Sequence, residues 1–193
     1  MRKTVSRLSF LAVPLLLMAC TPDATDDSVN EQVTASEEDD GEPFDEATLD
    51  LQATGLIVPP QNGFEQLAVP FGSMRAATEA TLANVLGDVL ERGENDECGA
   101  GPTQTTSYRG LVLYFQDNEF VGYTAREPYV PEITRADMLA DPAVTRVEDS
   151  TLGDEFTIGQ PNADGISGIF AGDGTDENAP VEVLWAGVTC NFR

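Results

Sequence analysis

The chain has 193 residues, with 34 Asp and Glu against 10 Lys and Arg and a formal net charge of −24. Its hydrophobic share of 41% suffices for one packed domain, which excludes a wholly disordered chain. The acid excess argues against nucleic acid as a partner, because neutralising phosphates takes clustered Lys and Arg. The lack of any histidine excludes His-based triads and His-ligated metals.

Arg2, Lys3 and Arg7 form a basic start, and Leu8 to Met18 form an apolar run. That run is shorter than the roughly 20 apolar residues a transmembrane helix needs. It closes in Leu17-Met18-Ala19-Cys20, which resembles the lipobox of bacterial lipoproteins. The resemblance implies that 1–19 is a lipoprotein signal peptide cleaved after Ala19. It also implies that Cys20 is the lipidation site, with a diacylglyceryl thioether and an N-acyl chain such as palmitate. Each buried CH₂ of such chains adds roughly 0.8 kcal/mol of membrane affinity, so several chains anchor stably. The alternative is an ordinary exported protein in which Cys20 happens to follow the cleavage point. Removal of 1–19 takes away three basic residues, including the single lysine, and leaves 174 residues with a net charge of −27. A chain without lysine has neither a Ser-Lys nucleophile nor Schiff-base chemistry.

Residues 21–50 hold twelve acids, no base and one aromatic, Phe44. Such a segment cannot bury enough apolar surface to offset its ordering entropy, so 20–50 is expected to be a lipid-anchored, self-repelling tether. A cation-binding or partner-binding tail is the functional alternative. From Leu51 the composition changes, and 51–193 is expected to be the extracytoplasmic domain. Ser73 predicts the N-cap of a helix running to Arg92, with Gly93 as its stop. Thr78, Leu82, Val85, Leu86 and Val89 follow the spacing of one buried helical face. Ser107–Phe115 and Phe120–Arg126 read as strands around the turn Gln116-Asp117-Asn118-Glu119. Thr134 with Asp137 resembles a capping box for a second short helix, which Asp141-Pro142 ends. Four strands are then expected: Val144–Asp149, Glu155–Ile158, Ile166–Ala171 and Val181–Phe192, the last bent at Gly187. The class this implies is α+β, with helices packed on an antiparallel sheet in two helix-plus-hairpin halves.

Cys98 and Cys190 remain after Cys20, an even pair in a compartment where disulfides persist, and a bond between them is expected. A redox-active cysteine is the competing reading, weakened by the absence of His, Lys and a Cys-x-x-Cys spacing. Gly165-Ile166-Ser167-Gly168-Ile169 lacks the second glycine of a nucleophile elbow. Gly172-Asp173-Gly174-Thr175-Asp176-Glu177-Asn178 suggests calcium but lacks the central glycine and closing Glu of an EF-hand loop, and reads better as a solvated hairpin loop. Glu97-Cys98-Gly99-Ala100-Gly101-Pro102 has no Lys or helix start to make a phosphate cradle. Trp185, Tyr108, Tyr114 and Tyr123 fall in strands, as a ligand platform or, more commonly, as sheet core.

The helix followed by Leu111-Val112-Leu113-Tyr114-Phe115-Gln116-Asp117-Asn118-Glu119-Phe120-Val121-Gly122 resembles a group of uncharacterised actinobacterial lipoproteins. These carry Glu-Cys-Gly-Ala-Gly-Pro, here Glu97 to Pro102, and a Cys-x-Phe-Arg ending, here Cys190-Asn191-Phe192-Arg193. The resemblance covers most of 70–193 and implies no activity. The helix-then-hairpin plan is similar, in topology alone, to the repeat of β-lactamase inhibitor proteins and of small outer-membrane-assembly lipoproteins. Together these features predict a lipoprotein on the extracytoplasmic face of the cell envelope, at the outer face of the cytoplasmic membrane or at an outer membrane. It is expected to bind a membrane through Cys20 and an envelope protein through its domain, with no catalytic residue, cofactor or metal. A carboxylate-dependent hydrolase of the envelope is the alternative from another class.

The domain 51–193 carries −15, and like charges at that density repel. The isolated domain should therefore gain melting temperature as monovalent salt rises, with magnesium matching calcium and neither saturating. A saturating, calcium-selective gain lost in Asp173→Asn would instead mark a metal site around Asp173 and Asp176.

Overall fold

A computed structural model describes residues 49–60, 65–159 and 165–191. The expected signal peptide 1–19, Cys20, the tether as far as residue 48, and Phe192 and Arg193 lie outside the described residues. Three short strands open the described chain where no element was expected: β1 (Asp50–Gln52), β2 (Gly55–Val58) and β3 (Leu67–Pro70). They pair antiparallel as one sheet in chain order.

Helix α1 (Arg75–Leu86) is shorter than its predicted span at both ends. Met74 takes the N-cap position without a side-chain bond, and Ser73 Oγ donates instead to the Pro70 carbonyl at 2.7 Å. Thr78 and Leu82 are buried as the spacing predicts, while Gly87, at φ +72°, ends the helix. The chain past it is extended and forms β4 (Glu91–Asn95), which pairs with β5 (Thr103–Tyr108). The expected strand Ser107–Phe115 is broken at Gly110, where φ of +71° makes a tight turn. A Cβ there would overlap the Glu127 carbonyl, so the turn demands glycine on two counts.

Strand β6 (Leu111–Gln116) alternates buried Leu111, Leu113 and Phe115 with half-buried Val112, Tyr114 and Gln116, the period of two that a pleat imposes. It turns into β7 (Glu119–Ala125) through Asp117 and Asn118, at φ +51° and +63°, the left-handed pair of a two-residue hairpin. Helix α2 (Arg135–Leu139) has the expected cap, with Thr134 Oγ1 accepting from the Asp137 N–H at 3.2 Å. A second meander follows: β8 (Val144–Arg146), β9 (Asp154–Ile158), β10 (Ile166–Phe170) and β11 (Val181–Gly187). The two meanders join through their last strands into one antiparallel sheet ordered β4-β5-β6-β7-β11-β10-β9-β8.

This arrangement overturns the α+β expectation of helices packed on a sheet in helix-plus-hairpin halves. Among the described residues, eleven strands in two antiparallel sheets outweigh two short helices, and the protein is mostly β. One reason is local: Gly87 stops α1 early, and α2 has only five residues. The other is the covering layer. Leu49, Leu56, Val58 and Val69, around the three-stranded sheet, pack with Leu82 of α1 onto Leu113, Phe115, Phe120 and Tyr123 of the large sheet. The Tyr123 hydroxyl donates to the Gln52 carbonyl at 3.0 Å and ties the two sheets. A second core gathers Met138 of α2 with Phe156, Phe170, Val181 and Leu184.

Beyond β11 the Val188 N–H donates to the Val121 carbonyl at 2.8 Å, so the tail crosses the start of β7. A Cβ at Gly122 would overlap the Val188 backbone, which makes this crossing possible only over glycine. Cys190 then bonds Cys98 in the β4–β5 loop, with Cα atoms 5.3 Å apart. The expected disulfide is in place. It closes a separation of 92 residues, worth about 4.5 kcal/mol on the chain-entropy model. Replacing both cysteines with serine should cost stability of that order in urea titrations of the oxidised protein. A loss below about 1 kcal/mol would show that the tail is held without the bond.

Candidate functional site

Each helix begins with an arginine that bridges to a carboxylate. Arg75 Nε donates to Glu79 Oε1 at 2.9 Å, Nη1 to Gln104 Oε1 at 3.0 Å and Nη2 to Thr106 Oγ1 at 2.9 Å. Thr106 Oγ1 passes its own hydrogen to Glu79 Oε1 at 2.7 Å, and Arg92 of β4 reaches Glu79 Oε2 at 2.7 Å. The Arg75 guanidinium lies 5.1 Å from the Phe115 ring centre. In the second half Arg135 and Arg146 both donate to Asp154, whose side chain is 1% exposed, and Arg135 lies over Phe170. These donors and acceptors are turned on one another, and both clusters pin a helix to the sheet.

Their titration follows from that geometry. The bond from Arg92 leads in holding Glu79 down to about 2, against burial and with help from Thr106 and Arg75. Burial works to raise Asp154, but Arg135 and Arg146 outweigh it and keep the carboxyl low. Burial, aided by the charge of Glu79, pushes the Tyr108 hydroxyl up to about 12.

A cleft of about 570 Å³ lies where the two meanders meet. One wall is the connection from β7 to α2, folded by a bond from the Tyr129 N–H to the Arg126 carbonyl at 2.8 Å and from the Ile133 N–H to the Pro131 carbonyl at 3.0 Å. The facing wall is the base of the β10–β11 hairpin, closed by the Ala171 N–H on the Pro180 carbonyl at 2.9 Å. Pro128, Val130, Pro131, Ala171, Pro180 and Val181 give the cleft an apolar lining. Arg126, Glu127, Glu132 and Glu182 complete it, with Arg126 Nη1 2.9 Å from Glu182 Oε1. Both of those side chains are more than half exposed, at 57% and 51%, so their pairing is weak and replaceable. The lining holds no hydroxyl, thiol or amide side chain.

The sites considered from sequence distribute differently. Tyr108 and Tyr123 point into the core, whereas Tyr114 and Trp185 lie on the other face of the sheet. There Ser107, Val112, Thr124, Trp185, Ser167, Thr157 and Thr145 form one cross-strand row from β5 to β8. Thr124 Oγ1 donates to the Tyr114 hydroxyl at 3.3 Å. The four aromatics therefore make no common platform. Gly168 is locked in β10 beneath Phe156 and Leu184, which leaves Ser167 as an ordinary sheet residue. Asp173 Oδ1 accepts from the Thr175 N–H at 3.1 Å and its hydroxyl at 2.6 Å, and Asp176 accepts from the Asn178 N–H at 2.8 Å. These acids cap their own turns. Gly101 closes the Glu97–Pro102 loop on the Cys98 carbonyl at 2.9 Å, beside the disulfide.

Sequence reading missed the cleft because its walls are remote in the chain. The run Arg126-Glu-Pro-Tyr-Val-Pro-Glu132 was the available clue, a connection with two prolines and three charges between the halves. Comparison with protein-family models, with curated proteins and with solved structures finds no match, so the site stands on its own geometry.

A carboxyl with a lowered pKa adds stability that is complete above its ordinary value and lost as pH falls through its folded value. For Glu79 that window runs from 4.5 down to about 2. Glu79→Gln should cost about 1–3 kcal/mol at neutral pH and flatten the loss of stability on acidification across the window. Denaturant titrations at stepped pH test this, and an unchanged acid limb in the variant would remove Glu79 from the account.

Proposed function

We propose that this chain is a lipoprotein of the cell envelope, anchored through Cys20 on the extracytoplasmic face, and that its domain works as a binding module for an envelope protein. The observation that carries the reading is the preformed cleft at the seam of the two meanders, walled by apolar residues and rimmed by charge. Its volume falls within the range typical of ligand pockets, roughly 300–1,000 Å³. The acidic segment 21–50 supports the reading by supplying reach between bilayer and domain. A carboxylate-dependent hydrolase needs one acid tuned upward as a proton donor. The described carboxyls that depart clearly from ordinary titration, Glu79, Asp154 and Asp173, all depart downward.

Two measurements test the proposal. Cys20→Ser should abolish fatty-acid labelling and release the protein from membranes. A photo-crosslinking residue at Val130, in the anchored chain in native envelopes, should give adducts that the same residue at Thr145 does not. Persistent labelling in the first case, or equal adducts from both positions in the second, overturns the corresponding half of the reading.

A further inference from the structure

Building on the reading of the cleft as the binding site, we propose that its occupant is an extended peptide segment of a partner protein, carrying arginine or lysine between apolar residues. The charged side chains of the lining are mostly acidic. Pro128, Pro131 and Pro180 bring no N–H, and the Pro131 and Pro180 carbonyls already accept from the Ile133 and Ala171 amides. Glu127, Glu132 and Glu182 add acceptors only, and Arg126 is the single cation set against them. A ligand that completes this surface must bring donors and positive charge. The apolar lining complements the aliphatic stem of such a side chain, which lays its methylenes on Val130 and Pro131 while its head reaches a carboxylate. Arg126 already shows the mode: a guanidinium on Glu182, held loosely enough to be displaced.

The rest of the domain favours the same class of partner. Its charge of −15 repels acidic segments and steers basic ones toward it. Strand addition is blocked at one edge of the large sheet by Glu91, Arg92 and Glu94 on β4, and the opposite edge strand, β8, has only three residues. On the large sheet, which carries the cleft, side chains entering the cleft are the remaining route of recognition.

The test uses the full lipidated chain in detergent micelles and a blocked peptide, Val-Pro-Arg-Val-Arg-Pro-Val. Two comparison ligands accompany it: the same peptide with citrulline for arginine, which keeps shape and removes charge, and spermidine, a cation without apolar side chains. The arginine peptide should bind saturably and at least about tenfold more tightly than the citrulline peptide or spermidine. Glu127→Gln with Glu132→Gln and Glu182→Gln should weaken it about tenfold. The matched set Glu91→Gln, Glu94→Gln and Asp96→Asn on and beside β4 should change it less than about twofold. Equal loss from the two sets would mean bulk attraction to an acidic protein and would overturn the proposal, as would equal binding of spermidine. Absence of peptide binding with crosslinks from position 130 retained sinks the cationic occupant and leaves the binding module standing. Absence of both sinks the binding module as well.

Discussion

One strand pairing joins the two meanders into a single eight-stranded sheet. β7 meets β11 through Ala125 with Leu184, Thr124 with Trp185, Tyr123 with Ala186, and Gly122 with Gly187. The pairing works by matching large to small. Ala125 sits between Leu111 on β6 and Leu184 on β11, and Ala186 leaves room for the ring of Tyr123. At the glycine pair the seam is tightest: a Cβ on Gly187 would strike the Val121 carbonyl and the Phe71 ring, and one on Gly122 would strike the tail. Covering layer, seam and disulfide-closed tail thus converge on the same few residues. The cleft follows from the seam too. The chain leaving β7 must pass the start of β11 on its way to α2, and the isolated bridge from Thr134 to Pro180 holds it there.

A chain this acidic folds only if its few cations are placed where they do most. Four of its arginines, Arg75, Arg92, Arg135 and Arg146, sit in the two carboxylate bridges that tie helix to sheet. Each helix contributes its first residue to the bridge, and each of these guanidiniums also lies over a phenylalanine ring. The role suits arginine and not lysine. Arg75 donates to Glu79, Gln104, Thr106 and the Thr105 carbonyl from one planar group, which an ammonium on a flexible stem cannot reproduce. Committed to Glu79 and Asp154 in this way, these four cations are not available to the carboxylates of the cleft or of the β4 edge.

Where the local pattern and the tertiary structure agreed, the sequence was readable. The later part of the expected strand Ser107–Phe115, the Asp117-Asn118 turn and the Thr134 cap each depend on neighbours in the chain, and each is present. The errors arose where one pattern served two conformations. Val89 continues the apolar spacing of α1 and does pack against the same core, but from an extended segment after Gly87 has turned the chain. Strands β1 to β3 have three or four residues each, too few for a period to show. Their burial comes from a sheet they meet only after folding, and that layer separates a mostly-β protein from the expected α+β one.

The cleft was illegible for a further reason, which bears on its chemistry. Proline, valine and glutamate recur in 126–132, between two expected elements, and at 180–182, where the expected strand Val181–Phe192 begins. Neither stretch contains a motif. Only their juxtaposition gathers three prolines and three carboxylates around the one arginine of the cleft. Three exposed carboxylates set against one arginine distinguish this surface by charge, and charge brought together from remote segments leaves no local pattern to read.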